Sequence, residues 1–253
     1  MMGESPLVSV VMANFNGAAH IGEAVQSVLG QSIRELELLI ADDGSTDDSL
    51  VRAREAAKGD PRLRLVPHGG KAASGPAAAR NRALDLAQGR WIAIVDNDDF
   101  ITPDSLQRLV AAAERDGADI AADDMRVFYE SGAPAHNHLS GALAREPVWI
   151  SAEAYMRANA LFASAPSLGY LKPIIRRSRL TLVRYDERLR IAEDFDLVMR
   201  LLLDGARMRT YPEVGYHYRK HARSISHRLS QANIDAMIAA HDRFAKPVTL
   251  QGD

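Results

Sequence analysis

The chain can be ordered outward from WIAIVDNDDFITP, residues 91–103. Trp91 to Val95 supply apolar bulk and read as a buried strand, which runs straight into Asp96, Asp98 and Asp99. Carboxylates crowded this closely repel, and desolvation raises the cost, unless something positive compensates them. Two readings stand. One is a solvated acidic turn that caps the helix opened by Thr102-Pro103-Asp104. The other is a site that holds a cation. Hard oxygen ligands with few other donors suit Mg²⁺ or Mn²⁺, ions that keep waters and share phosphate oxygens with a substrate.

The flanking segments give this strand its neighbours. LVSVVMA (7–13), LELLIA (36–41) and RLRLVP (62–67) are short apolar or β-branched runs that read as buried strands, and ADIAADDM (118–125) reads as a fifth. Between them lie helical patterns. Ile21, Ala24, Val25, Val28 and Leu29 follow the i, i+3, i+4, i+7, i+8 spacing of an amphipathic helix. Ser45 or Thr46 is placed to cap a helix running through Ala57, with Asp47 and Asp48 at its positive end. Pro76 suits a first helical turn in GPAAARNRALDLAQG, and Gly117 stops the helix after Asp104. Alternating strands and helices predict an α/β fold with a mostly parallel sheet and helices on both faces. Ligands of such sheets bind beyond the carboxyl ends of the strands. That topology puts Asn14-Phe15-Asn16, Asp42-Asp43 and Asp96-Asn97-Asp98 on one rim, and a second acidic strand end weakens the solvated-turn reading.

Beyond residue 126 the pattern loosens. Residues 128–147 are rich in turn formers and read as a mobile excursion. Helices are expected from Ser151, over IAEDFDLVMRLLLDGA (191–206) and over about 230–245, the last with Ile234, Ile238 and His241 on one face; YLKPII (170–175) and RMRTYPEVGYHYR (207–219) read as strands. No repeat or linker separates two domains, so 1–126 and 127–253 are expected to be halves of one continuous domain.

Composition limits the function. The chain has 253 residues, 31 Lys+Arg against 33 Asp+Glu and no cysteine. A net charge of −2 argues against a general nucleic-acid binder. The absence of cysteine excludes disulfides and thiolate metal sites and fits a reducing compartment. MMGESPLVSVV lacks a basic region ahead of its apolar run, and no apolar stretch approaches the ~20 residues that span a bilayer. The expectation is a soluble, cytoplasmic protein. Charge is uneven, however: residues 172–228 carry 14 Lys/Arg against 7 Asp/Glu. Such a basic segment suits an anionic acceptor or peripheral contact with an anionic membrane surface.

VSVVMANFNG, ELELLIADDGSTDDS, SGPAAARNRAL and WIAIVDNDDFITPD, in this order and spacing, resemble the family-2 inverting glycosyltransferases of the GT-A fold. The resemblance covers about residues 6–125 and returns over 170–226, where IAEDFDLVMRLLLDGA and YHYRKHARSIS match later motifs. It implies a nucleotide-sugar donor, with uridine diphosphate as the expected carrier, Mn²⁺ or Mg²⁺ as cofactor, and a glycan or lipid-linked saccharide acceptor. The implied nucleotide-binding positions are Ala13, Phe15, Asp43, Arg80 and Asp96: Phe15 packs on the base, Asp43 accepts a hydrogen bond from the uracil ring, and Asp96 lies near the ribose or a metal-bound water. Asp98 is the implied metal ligand, and His221 could complete the metal or diphosphate site. Arg219 and Lys220 could neutralise the leaving diphosphate. Asp194 is the implied catalytic base, with Glu193 the runner-up. Each residue also has an ordinary reading: core packing for Phe15, a helix cap for Asp43, a solvated surface for Arg80 and His221, and first-turn helix acids for Glu193 and Asp194.

Two departures from the family qualify the resemblance. Ala13 stands where a proline is frequent, which leaves the first loop without that stiffener. The only tryptophans are Trp91 and Trp149, so the Gln-any-any-Arg-Trp motif of processive polymer synthases is absent, and one sugar per encounter is expected. Rival readings fit less well. An aspartyl-nucleophile phosphatase needs its Asp-any-Asp on the first strand, and a dinucleotide oxidoreductase needs a glycine-rich turn where Asn14-Phe15-Asn16-Gly17 stands. A non-catalytic nucleotide-sugar-binding protein remains the alternative, and Asp194 is what separates it from an enzyme.

Overall fold

The computed structural model describes residues 5–70, 74–160, 166–222 and 230–251, with side chains described to residue 244. Strands β1 (Val8–Asn14), β2 (Leu36–Asp42), β3 (Leu63–Val66) and β4 (Trp91–Ile94) pair in parallel in the order β3-β2-β1-β4. Helices α1 (Ile21–Leu29), α2 (Ser49–Ala57) and α3 (Pro76–Leu86) connect them. Every residue of β2, and all but Ala13 of β1, is buried, as expected of central parallel strands covered on both faces. The five apolar positions of α1 are the five it buries. The next strand and helix are β5 (Phe100–Ile101) and α4 (Ser105–Asp116), which ends at Gly117 with φ 67°, a left-handed closure that favours glycine.

The second half adds β6 (Ile120–Tyr129), β7 (His136–Asn137), β8 (Val148–Ile150), α5 (Ala152–Ala158), β9 (Ile174–Arg176), α6 (Glu193–Leu203), β10 (Met208–Lys220) and α7 (Gln231–Gln251). These strands extend the same sheet, in the order β4-β9-β6-β10-β5. β9 is antiparallel to both β4 and β6, whereas β6 and β10 are parallel. The fold is thus the mixed α/β architecture expected, with its parallel character interrupted by β9. β10 joins the halves: its start pairs with β8 and its end with β5, and it runs beside β6 along its length. Its register slips between Tyr211 and Val214 and again before Tyr216. Pro212, which cannot donate to a ladder, and Gly215, where a Cβ would come within 1.7 Å of Asp123 Oδ2, account for the bulge.

Several expectations need correction. α2 begins at Ser49, not at Ser45 or Thr46, because Ser45 serves the loops around Asn14 and Asp42. The excursion at 128–147 folds back on the sheet: β7 pairs with Arg126 and Val127, and Leu139 is buried with its N–H on Asp124 Oδ1. α7 packs through Ala240 and Phe244, with His241 stacked on Phe195, whereas Ile238 is exposed. Ser151 does cap α5, accepting the N–H of Ala154.

Candidate active site

The carboxyl ends of β1, β2 and β4 meet through Asn14. Its Nδ2 donates to Asp42 Oδ1 at 2.9 Å, and its Oδ1 accepts from Asn97 Nδ2 at 2.7 Å. A Cβ on Gly17 would lie 2.1 Å from Asn97 Nδ2, so only glycine lets the first loop come this close. Side chains also brace that loop against the next. The Asn16 and Ala18 N–H groups donate to Ser45 Oγ and Asp47 Oδ2, and Thr46 N–H donates to Asn16 Oδ1. Ala13, half-buried opposite Ala41 on β2, therefore precedes a loop held by hydrogen bonds, not one left slack without proline. Phe15 projects from it 53% exposed, which removes the core-packing reading for that ring.

The acids at the end of β2 are hydrogen-bonded by neutral donors, with Arg82 Nη2 3.7 Å from Asp43 Oδ1. Asp42 is buried, which alone would raise its pKa, but hydrogen bonds from Ser45, Asn14 and Gly44 outweigh burial and lower it. Asp43 accepts the N–H of Ser74 at 3.0 Å and of Gly75 at 2.7 Å. It thereby anchors the segment entering α3 and does not cap α2. Each carboxylate oxygen offers about two lone-pair sites, so these bonds leave acceptor capacity unused.

The acids at the end of β4 are compensated in three different ways. Asp96 lies between two buried cations, with Arg80 Nη2 and Lys172 Nζ each 2.8 Å away. Burial opposes its ionisation, but Lys172 and Arg80 prevail and hold the carboxyl well below the usual range. Asp99, 1% exposed, accepts from Tyr216 Oη at 2.8 Å and from Arg219 N–H at 2.7 Å. Burial, with Asp98 and Asp96 alongside, pushes its carboxyl well above the usual range. Asp98 keeps about a third of its side chain exposed, and its Oδ2 lies 3.0 Å from His221 Nε2. His221, just beyond β10, also packs on the ring of His20.

Arg80 is the keystone of a second layer. It is 4% exposed; besides holding Asp96, its Nη1 reaches Glu193 Oε1 at 2.7 Å and Asp194 Oδ1 at 3.4 Å. The structure shows Arg80 in internal ion pairs and both oxygens of Asp96 on internal cations. Glu193 and Asp194 open α6, where first-turn acids suit the positive end of the helix. Asp194 Oδ2 accepts from Lys172 Nζ at 2.8 Å and its Oδ1 from Tyr185 Oη at 3.1 Å. Burial would raise the pKa of Asp194, but Arg80 and Lys172 outweigh it and lower it. Glu193 moves the other way, raised by burial and by Asp194 against the pull of Arg80. Five buried or nearly buried charges, from Arg80, Lys172, Asp96, Glu193 and Asp194, thus interlock α3, β4 and α6.

Sequence reasoning missed Lys172, Tyr185 and Tyr216. Lys172 carried a signal: a lone cation beside an apolar run, LKPII, needs a buried acid. Arg219, expected at the diphosphate, instead donates to the Asp98 carbonyl and pairs with Glu23. Lys220 lies over the ring of Tyr218. Ser224 to Ser226 of the YHYRKHARSIS motif, and Arg223 and Arg228 of the basic segment, lie outside the described residues.

Among the described residues no group of three or more His, Asp or Glu side chains converges on a point. Asp98 and His221 fit a divalent cation by donor chemistry, a partly exposed carboxylate beside a largely buried imidazole, with substrate phosphate and water left to complete the shell.

Comparison with other proteins agrees with this geometry. The pattern of Glycosyl transferase family 2 matches residues 9–175. Succinoglycan biosynthesis protein ExoO of Rhizobium meliloti (strain 1021) is 39% identical over 98% of this chain and 70% of its own length. ExoU of the same organism is 35% identical over 87% of this chain and 65% of its length. S. aureus TarS, solved in complex with UDP-GlcNAc, superposes with a TM-score of 0.73 at 22% identity over 92% of this chain and 65% of that one. The mannosyltransferase PcManGT from Pyrobaculum calidifontis, solved with GDP-Man and Mn²⁺, gives 0.69 at 19% identity over 98% and 70%. The chain belongs to glycosyl transferase family 2; it is a glycosyltransferase with the GT-A fold.

Proposed function

We propose that this family-2 glycosyltransferase moves one sugar, with inversion, from a uridine diphosphate-sugar to a hydroxyl of a glycan or lipid-linked saccharide in bacterial polysaccharide assembly, using Mn²⁺ or Mg²⁺. The observation that carries the reading is the division of labour at the end of β4. Asp96 and Asp99 are compensated inside the protein, while Asp98, backed by the largely buried His221, stays partly exposed on the rim where Phe15 is exposed. The UDP-GlcNAc complex of TarS supports the uridine carrier, and the Mn²⁺ in the GDP-Man complex of PcManGT supports the metal though not the uracil base; the names of ExoO and ExoU support the polysaccharide.

In this reading residues 1–126 bind the donor and 127–253 supply the acceptor side and the base. Phe15 stacks on the base, and Asp43 uses spare lone pairs for the ring N–H. Asp98 and His221 hold the cation, which when bound stabilises negative charge developing on the departing diphosphate. Asp194 takes the proton of the acceptor hydroxyl. The hydroxyl oxygen forms its bond to the anomeric carbon from the face opposite the diphosphate, whose bond breaks with both electrons leaving on phosphate oxygen. Lys172 and Tyr185 aim the carboxylate, and the nearby cations keep it ionised while lowering its basicity. Calorimetry with UDP-sugars, with and without chelator, tests the donor side. Tight binding indifferent to metal, or a preference for adenine or guanine nucleotides, would sink it. Proton NMR of the product's anomeric signal tests inversion.

Contact with an anionic membrane surface is a further part of the proposal. Leu182 is 94% exposed in a segment flanked by Arg177, Arg179 and Arg184, and among the described residues no helix is long and apolar enough to cross a membrane. Sedimentation with anionic vesicles should show binding that fades as salt rises.

A further inference from the structure

A cavity on the second half of the sheet has no part in the chemistry above. Strand alternation places Met125, Val127 and Tyr129 of β6 on one face, and the parallel partner β10 presents Tyr218 and Lys220 on the same face. Tyr170, from the turn before β9, joins this lining, and the half-open cavity has a volume of about 140 Å³. His136 and His138 of the folded-back excursion complete the wall. His138 is fixed by a 2.8 Å contact between its Nε2 and the Ser167 carbonyl. The rings meet edge to face: His138 with Tyr170 at 6.0 Å, and Tyr170 with Tyr218 at 6.4 Å. Tyr170 takes part in both contacts and stays partly exposed.

The chemistry of this lining is selective. Pockets for nucleotide-sized ligands run to roughly 300 Å³ or more, so the donor does not fit. At ~30 Å³ per water the volume holds about four or five waters, the scale of one small ring. A pyranose has an apolar C–H face, which suits the negative face of a tyrosine ring, and a rim of hydroxyls, which suits imidazole and phenol groups. An all-apolar ligand would leave the histidines and Lys220 unsatisfied. The position is selective too. Lys220 lines the cavity and the next residue, His221, touches Asp98; Tyr170 lines it and Lys172, two residues on, touches Asp194. A ring seated here therefore contacts the same two segments, the end of β10 and the turn before β9, that lead into His221 and Lys172.

We propose that this cavity is an acceptor subsite that binds one pyranose ring of the saccharide acceptor, stacked on Tyr170 and Tyr218. The proposal rests on the transfer reading above for its role, but not for the binding itself. The test uses saturation-transfer NMR on the whole chain with methyl α- and β-glucopyranosides and galactopyranosides, and calorimetry with UDP in the same samples. At least one glycoside should bind; Tyr170→Ala should weaken it about tenfold, whereas Tyr170→Phe should retain it. UDP affinity should stay within about twofold in both variants, the expected result for a site apart from the donor. Tyr170 is 37% exposed, so its truncation leaves the core intact. Binding by none of the glycosides, or equal binding by wild type and Tyr170→Ala, overturns the subsite and leaves the transfer reading standing. Glycoside binding with this dependence in a protein that binds no nucleotide keeps the subsite and removes the donor reading instead.

Discussion

The ends of β2 and β4 are both rich in aspartate, yet the protein treats them differently. At the end of β2, the hydrogen bonds to the Asp42 and Asp43 carboxylates come from serine, asparagine and backbone N–H groups, and the nearby cation, Arg82, comes no closer to Asp43 than 3.7 Å. At the end of β4, Asp96 is met by Arg80 and Lys172. The difference follows from who the neighbours are. β2 is flanked by loops that can fold back on it, whereas β4 abuts the second half of the chain, which brings β9 and α6 and their own acids. Neutral donors suffice for an isolated carboxylate; three carboxylates within reach of one another need cations.

Removing the base should have the largest effect on this contrast. Asp194→Asn keeps the shape and one acceptor oxygen, enough for Lys172, while its amide nitrogen can donate to Tyr185 Oη; it cannot take the acceptor's proton. Transfer should fall by on the order of 10²–10⁴, with nucleotide affinity little changed. Full transfer activity in the variant would return Glu193 to consideration.

Lys172→Met attacks the cation instead. Asp96 and Asp194 then face each other across an uncompensated gap, and breaking a buried pair costs about 3–5 kcal/mol. Urea unfolding should show a loss of that order; a loss below about 1 kcal/mol would mean that Arg80 alone compensates the cluster.

Asp123 shows what happens to a buried acid without a cation in contact. It is 6% exposed, hydrogen-bonded to Ser105, and burial pushes its carboxyl up to about 7. Between its ordinary pKa near 4 and this value the folded state holds a proton that the unfolded chain has released. Stability from this group is therefore full at low pH, declines as pH rises through that window and levels off above it. Asp123→Asn keeps an acceptor for Ser105 and should remove that decline in thermal melts from pH 4 to 8. Parallel wild-type and variant profiles would contradict the assignment.

Phe15→Ala should have the smallest effect and confine it to binding. The exposed ring contributes little to the core, so stability should change by less than about 0.5 kcal/mol. Stacking on a base is worth about 1–3 kcal/mol, so UDP affinity should drop roughly five- to a hundredfold by calorimetry. Unchanged affinity would detach the first loop from the nucleotide.

What the sequence by itself determined is local. The apolar spacing of α1, the β-branched runs of β1 and β2, and Gly117 after α4 follow from periods of 3.6 and 2 and from the conformational freedom of glycine, each legible within a dozen residues. The placing of Asn14, Asp42 and Asp98 on one rim was legible as well, because parallel strands joined by helices share a carboxyl end. Tertiary structure alone decided the rest. β5 and β8 are two and three residues long and owe their existence to β10, a partner distant in sequence. Arg80 and Glu193 are 113 positions apart, and no propensity or period links them. Whether a given aspartate ends up between cations, protonated or open to a ligand depends on which charges the fold brings within a few ångströms. Coulomb attraction and desolvation act on distance in space, which the order of residues does not contain.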